Sequence, residues 1–199
     1  MADVVGAAGL SDLEIVRVAR EIISQVGVDG LTMRRLSTKL GVALGATYHH
    51  VPTKHDLLVL VGQDLYRELT GDLLRSTGRW DERLKPFMMS VAELVGRHPG
   101  MGNFLTSNLD KVVPIELNGA VSGMLADAGF ADESMAAVMA ALFFFATGMS
   151  AAWSSAGSAR TLADVDVRGL FAAGIDMLLT GARARLAADR KARRAGGSK

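Results

Sequence analysis

The sequence predicts an all-α fold in two parts, a three-helix head over residues 1–58 and a longer helical body over residues 59–199. Three observations predict it. Apolar residues recur at three-to-four spacing along much of the chain. Helix-start signals stand where those runs begin, Ser11 with Glu14 and Thr53 with Asp56. The composition changes near residue 58, since all seven Phe and eight of the ten Met lie between Phe87 and Met177.

The first helix opens at Ser11, where Glu14 completes a capping box and Leu10 can staple onto Ile15. Ile15, Ala19, Ile22 and Val26 form its inner stripe, and Gly27 with the Asp29-Gly30 pair ends it by turn chemistry. Thr32 caps a short second helix whose apolar side is Leu31, Leu36, Leu40 and Val42, and Gly41 closes it with a positive φ. A third short helix follows over about residues 43–49. Two short helices around a glycine turn, with almost no slack, read as a helix-turn-helix. Thr53 then caps a longer helix with Leu57, Leu58, Val61 and Leu65 facing inward, which connects head to body.

In the body, helices are predicted from residue 81 or 86 to 98, then over 101–110, 114–128, 132–154 and 164 to about 190. Pro86 either opens its helix at the first position or leaves an early kink, because its ring removes a backbone donor. Residues 134–159 are 26 consecutive uncharged residues, long enough to raise a membrane span. Thr147, Gly148, Ser150, Ser154, Ser155 and Gly157 dilute the second half, and no second span accompanies it. The expectation is a helix buried on all sides, with no membrane partner.

The net charge of +1 conceals an uneven distribution. Residues 1–30 hold two Arg against five acids, whereas residues 31–58 hold Arg34, Arg35, Lys39 and Lys54 against Asp56. Phosphate attraction needs a local positive surface, so near-neutrality does not argue against nucleic acid. Residues 183–199 carry seven Lys or Arg against one Asp. That tail reads either as a helix end with cations where the dipole favours them, or as an arm adding phosphate attraction.

Enzymatic classes are poorly served. There is no cysteine, which excludes disulfides, zinc–thiolate clusters and thiol nucleophiles. No phosphate-binding glycine loop has the right spacing. Of His49, His50, His55 and His98, three stand in the head or just beyond it, and no acid-rich cluster completes a metal site. No catalytic residue, metal or cofactor is expected. The first residues lack a basic region followed by an apolar core, and a reducing cytoplasm fits the composition.

The run L-T-M-R-R-L-x-x-x-L-G-V, a short helix ending T-Y-H-H-V, and then K-x-D-L-L resembles the TetR family of bacterial transcriptional regulators over roughly residues 11–58. The resemblance implies an N-terminal helix-turn-helix DNA-binding domain and a C-terminal helical domain for ligand binding and dimerisation. It implies a double-stranded DNA operator as partner, contacted from Thr32, Met33, Arg34, Ala43, Leu44, Gly45, Ala46, Tyr48, His49, His50 and Lys54. Ala43 stands where a capping Ser is common in the family. Leu44, Gly45 and Ala46 stand where polar readers are common, so apolar contact with thymine methyls and DNA shape should carry more of the specificity. Thr47 replaces a usual Leu on the inward side.

The resemblance further implies a homodimer through the last two long helices, residues 132–188. There Ala136, Ala140, Ala141, Gly148 and Ala152, opposite Ala172, Ala173 and Gly174, would permit close approach. It implies an apolar small-molecule effector in the body that shifts the connecting helix and spoils operator spacing. Phe87, Met88, Met89, Met101, Phe104, Phe144, Met149 and Trp153 have the adaptable apolar character such a pocket needs, with Asn103, Asn108, Glu116 and Asn118 as polar anchors. An architectural DNA-binding protein with a filled core and no effector is the alternative.

Overall fold

The computed structural model describes residues 10–156 and 166–196, and within them every regular element is a helix. The head comprises α1 (Asp12–Gly30), α2 (Met33–Leu40) and α3 (Leu44–His50), and α4 (Lys54–Arg75) leads out of it. The body follows as α5 (Trp80–Gly96), α6 (Met101–Ser107), α7 (Leu109–Val112), α8 (Ile115–Ala128), α9 (Asp132–Ala156) and α10 (Val167–Gly196).

The head's caps form locally. The Glu14 amide donates to Ser11 Oγ at 3.2 Å, the Arg35 amide to Thr32 Oγ1 at 3.1 Å and the Asp56 amide to Thr53 Oγ1 at 3.1 Å. Each satisfies a donor that the first helical turn leaves without a partner. Gly41 takes φ 71 and ψ 26, and the Gly41 and Val42 amides reach back to the Thr38 and Ser37 carbonyls. Ala43 leads into α3 with no side-chain capping bond.

The inner stripe of α1 ends sooner than its spacing predicts. Ile15, Ala19 and Ile22 are buried, but Val26 is 48% exposed. Gly27, at φ 74 and ψ 174, breaks the helical path one residue later. The chain then presents Val28 to the α5–α6 turn, where its amide donates to the Pro99 carbonyl at 2.9 Å. A Cβ at Gly27 would lie 3.3 Å from that oxygen, so positive φ and close approach both select glycine.

Two buried clusters organise the packing. One joins α1, α2, Val51 and α4 to Leu94, Val95, Met101, Leu105 and Val112, so the head is seated on α5, α6 and α7. The other joins Leu73, Trp80, Leu84 and Met88 to Leu125, Phe130, Leu142, Phe171 and Ile175 of the body. The division expected at residue 58 falls inside α4, which gives Leu57, Leu58, Val61 and Leu65 to the first cluster and Leu73 to the second.

Boundaries in the body shift in instructive ways. α5 starts at Trp80 and carries Pro86 inside it. The segment expected over 101–110 divides at Asn108, whose backbone leaves helical geometry (φ −133, ψ 29) while its Nδ2 donates to the Phe104 carbonyl at 2.9 Å. The expected start of the last helix at residue 164 lies outside the described residues. α9 is not buried on all sides in the single chain. Ala136, Ala137, Ala140 and Ala141 are exposed, and Phe144 is 69% exposed. Among the described residues no helix is long and apolar enough to cross a membrane.

The basic tail fits neither expected reading in full. Arg190 donates to the Ala128 carbonyl at 2.8 Å, and Arg193 to the Gly129 and Phe130 carbonyls at 2.8 and 2.9 Å. These guanidinium groups satisfy carbonyls at the end of α8, where helical partners run out. Asp189 accepts from the Ala131 amide at 2.9 Å and from Ser134 Oγ at 3.0 Å, which caps α9 from α10. The bond from the Ala131 amide, then that from Ser134 with the nearby Arg185 and Arg193 charges, outweighs partial desolvation and holds the Asp189 carboxyl below its usual range.

Candidate nucleic-acid interface and body cavity

The outward surface of the head is built by α2 and α3. Thr32, Arg34, Arg35, Thr38 and Lys39 line a polar cleft of about 430 Å³ along α2. Arg35 is committed internally, donating to the Gly30 carbonyl at 2.7 Å, and Lys39 pairs with Glu21 at 3.1 Å. Arg34 is exposed and its guanidinium has no partner among the described residues. On α3, Leu44 is 40% and Tyr48 46% exposed, and Gly45, Ala46 and His49 face outward. A Cβ added at Gly45 would meet nothing within 4 Å, so α3 offers a low apolar ridge flanked by a phenol. His50 Nδ1 lies 3.0 Å from Asp12 Oδ1, which ties α3 to the start of α1.

Two expected DNA-facing residues are placed otherwise. Met33 is 7% exposed and belongs to the head's core, because the first position after the Thr32 cap turns into the cluster shared with α1 and α4. Lys54 is half-buried and its ammonium donates to the Val28 carbonyl at 2.7 Å. Thr32 is exposed but its hydroxyl is already occupied in capping α2. Thr47 is fully buried and its Oγ1 has no hydrogen-bond partner, the cost of a hydroxyl on the inward side of α3.

The body holds an open-sided cavity of about 480 Å³ between α4, α5, α7, α8 and α9. Tyr66 enters from α4. Leu84, Phe87, Met88 and Val91 come from α5, Leu109 and Asp110 from α7, and Leu117, Asn118 and Val121 from α8, with Val113 just before it. Met139, Leu142, Phe143 and Phe144 close the wall from α9. Burial raises the Tyr66 phenol to about 12, so it stays protonated.

Of the residues expected to form a ligand site, Phe87, Met88, Phe144 and Asn118 are brought together here. The others are not. Met89 packs into the body core, and Met101 is fully buried in the cluster beneath the head. Phe104 meets His55 edge-on, ring centroids 5.3 Å apart, and Asn108 is spent on the α6–α7 break. Asn103 and Glu116 are exposed away from the cavity. Met149 and Trp153 lie outside the residues whose side chains are described. Tyr66, Leu109 and Asp110 were not anticipated. The one tyrosine on the connecting helix, off its leucine stripe, was the signal for Tyr66.

Small residues expected at a subunit seam also separate. Ala136, Ala140, Ala141, Gly148 and Ala173 are exposed, but Gly174 is turned into its own subunit against the Phe145 ring. Leu170 and Met177, 59% and 72% exposed, stand seven residues apart on the outer face of α10. Among the described residues no group of three His, Cys, Asp or Glu could hold a metal ion.

Comparison with known proteins adds a family to this geometry. Residues 15–61 match the model of bacterial regulatory proteins of the tetR family. The tetracycline repressor protein class C of Escherichia coli is 36% identical over 78 residues, which are 39% of this chain and 34% of that protein. The chain therefore matches about a third of the length of that curated relative. Among solved structures, a TetR variant from Acinetobacter baumannii AYE in complex with minocycline superposes with a TM-score of 0.74 at 21% identity, covering 89% of this chain and 99% of that one. BioQ with its double-stranded DNA operator superposes at 0.66 and 21% identity, covering 88% and 99%. These superpositions extend the shared fold over head and body alike. Over residues 15–61 the helix-turn-helix head is thus similar to that of the tetR family of bacterial regulatory proteins, and head and body together share the fold of these solved regulators.

Proposed function

We propose that the chain is a non-enzymatic, cytoplasmic transcriptional repressor that binds a palindromic operator as a homodimer and releases it when an apolar small molecule enters the body cavity. The observation that carries this reading is the path of α4. Its first turns give Leu57 and Leu58 to the head's core, and about two turns further on it places Tyr66 on the cavity wall. Anything that occupies the cavity pushes on the helix that holds the reading head.

Dimerisation follows from the outer faces of α9 and α10. Ala136, Ala140, Phe144, Leu170 and Met177 leave an apolar surface with small residues at helical spacing, which a twofold mate would cover. Two α3 helices could then enter successive major grooves about 34–36 Å apart. Arg34 and Tyr48 would contact the backbone, while Leu44, Gly45 and Ala46 approach base edges closely enough to sense thymine methyls. An architectural protein with a filled core is disfavoured by the cavity itself.

The test combines sedimentation of the full chain with selection of bound duplexes from a random palindromic pool. A dimer enriching one inverted repeat, with uracil-for-thymine replacement in that repeat weakening binding, supports the reading. A monomer, or no duplex retained at low ionic strength, overturns it.

A further inference from the structure

Among the described residues that line the body cavity, Asp110, exposed at its open edge, is the one with a formal charge, and no Lys, Arg or His shares that wall. Its carboxylate has no hydrogen bond or ion pair among the described residues. Lys111, next along the chain, is exposed and lies off the wall. The same wall carries four aromatic rings, Tyr66, Phe87, Phe143 and Phe144, and the polarisable side chains of Met88 and Met139. Aromatic faces bear negative quadrupole density and attract a desolvated cation. An anion entering this space would find no balancing charge and would face a carboxylate. A neutral molecule would gain only from burial, whereas a cation gains from burial, from the rings and from the carboxylate.

From this we infer that the effector is a lipophilic monocation, an amine or quaternary onium carrying aromatic or aliphatic bulk, with its charge at Asp110 and its bulk among the Phe and Met side chains. The assignment rests on the proposed role of the cavity as the effector site. The Tyr66 phenol, protonated at physiological pH, supplies a neutral polar contact and no second charge. A volume of about 480 Å³ lies within the range of pockets that enclose a molecule of a few rings.

Tetraphenylphosphonium and tetraphenylborate, of nearly one shape and opposite charge, isolate the sign of the charge, and the smaller neutral triphenylphosphine oxide reports occupancy without charge; all three are titrated calorimetrically into the full chain. The phosphonium should bind about tenfold or more tighter than the borate. Asp110→Asn should weaken the phosphonium about five- to tenfold and leave the oxide unchanged. Val121→Trp, which fills the cavity, should abolish binding of all three. Asn118→Phe, on an exposed part of the wall, does the same if the tryptophan variant does not fold. Borate binding as tight as phosphonium, or a phosphonium affinity indifferent to Asp110→Asn, overturns the cation assignment while oxide binding keeps the effector site. Failure of all three probes to bind, or binding that survives both filling variants, overturns the assignment and the effector site together.

Discussion

The Lys54 ammonium donates to the carbonyl of Val28 at 2.7 Å, while the Val28 amide donates to the carbonyl of Pro99 at 2.9 Å. One peptide segment thus receives the start of α4 on one side and the α5–α6 turn on the other. The head's orientation is set where the body's first long helix ends. His98, in the same turn, is 6% exposed and its Nδ1 donates to the Leu94 carbonyl at 2.7 Å. Burial, with the nearby Arg20 and Arg97 charges, outweighs the Leu94 bond and depresses its imidazole below the ordinary value.

Lys54→Met should therefore act on stability before it acts on DNA. Losing a charge-assisted bond to a carbonyl is expected to cost about 1–2 kcal/mol in urea denaturation. The salt dependence of duplex binding should keep its slope. A slope lowered by about one would place the ammonium on a phosphate instead.

Arg34→Gln is expected to do the converse. An exposed guanidinium with no internal partner among the described residues contributes little to folding. Duplex affinity should fall across all sequences alike and the salt slope should drop by about one, measured by fluorescence anisotropy over a salt series. A loss confined to one operator position would assign Arg34 to a base edge.

Thr47→Val should stabilise the protein. The hydroxyl is buried and unsatisfied, and valine keeps the shape while removing the polar atom. A gain of about 1 kcal/mol in chemical denaturation is expected. A loss of similar size would mean that Oγ1 is hydrogen-bonded in solution.

Arg183→Met should make stability pH-dependent in a defined direction. Asp81 is 3% exposed and accepts from Arg183 Nε at 2.6 Å and from Arg79 at 3.0 Å, while its Oδ1 has no partner. Burial alone would raise its pKa. The Arg183 bond, a local backbone bond and the two guanidinium charges override it and hold the carboxyl below its usual range. A carboxyl lowered on folding adds stability fully present above its unfolded value of about 3.9, and loses it as pH falls through the folded value. Without Arg183 the burial penalty remains. Because Arg183 is half-exposed, the expected loss is modest, about 1–2 kcal/mol at neutral pH. That deficit should shrink below about pH 5 as Asp81 protonates. A deficit constant from about pH 7 to 3 would show that Arg183 acts through packing alone.

Much of the head was legible because its signals are short-ranged. Thr32, Gly41 and Thr53 act through bonds to backbone groups within one turn, so their roles follow from the residues on either side. Val26 misled because the period continues while the helix does not, broken by Gly27 one residue later. The cavity was legible only as a composition. Met101 and Phe104 have the same apolar chemistry as Met88 and Phe87, and no local pattern separates core from wall. Asp110 could not be recognised at all until α7 was placed against α4.

The sequence by itself determined an all-α chain, its helix-turn-helix, the uncapped start at Ala43 and the apolar character of the body. Tertiary structure alone decided that Lys54 reaches a carbonyl 26 residues away, that Asp81 meets an arginine 102 residues on, and which apolar side chains surround a void. The reason is physical. Capping and turn energies are settled within a few residues, whereas a charge or a cavity takes its meaning from whatever distant segment the packing of helices brings beside it.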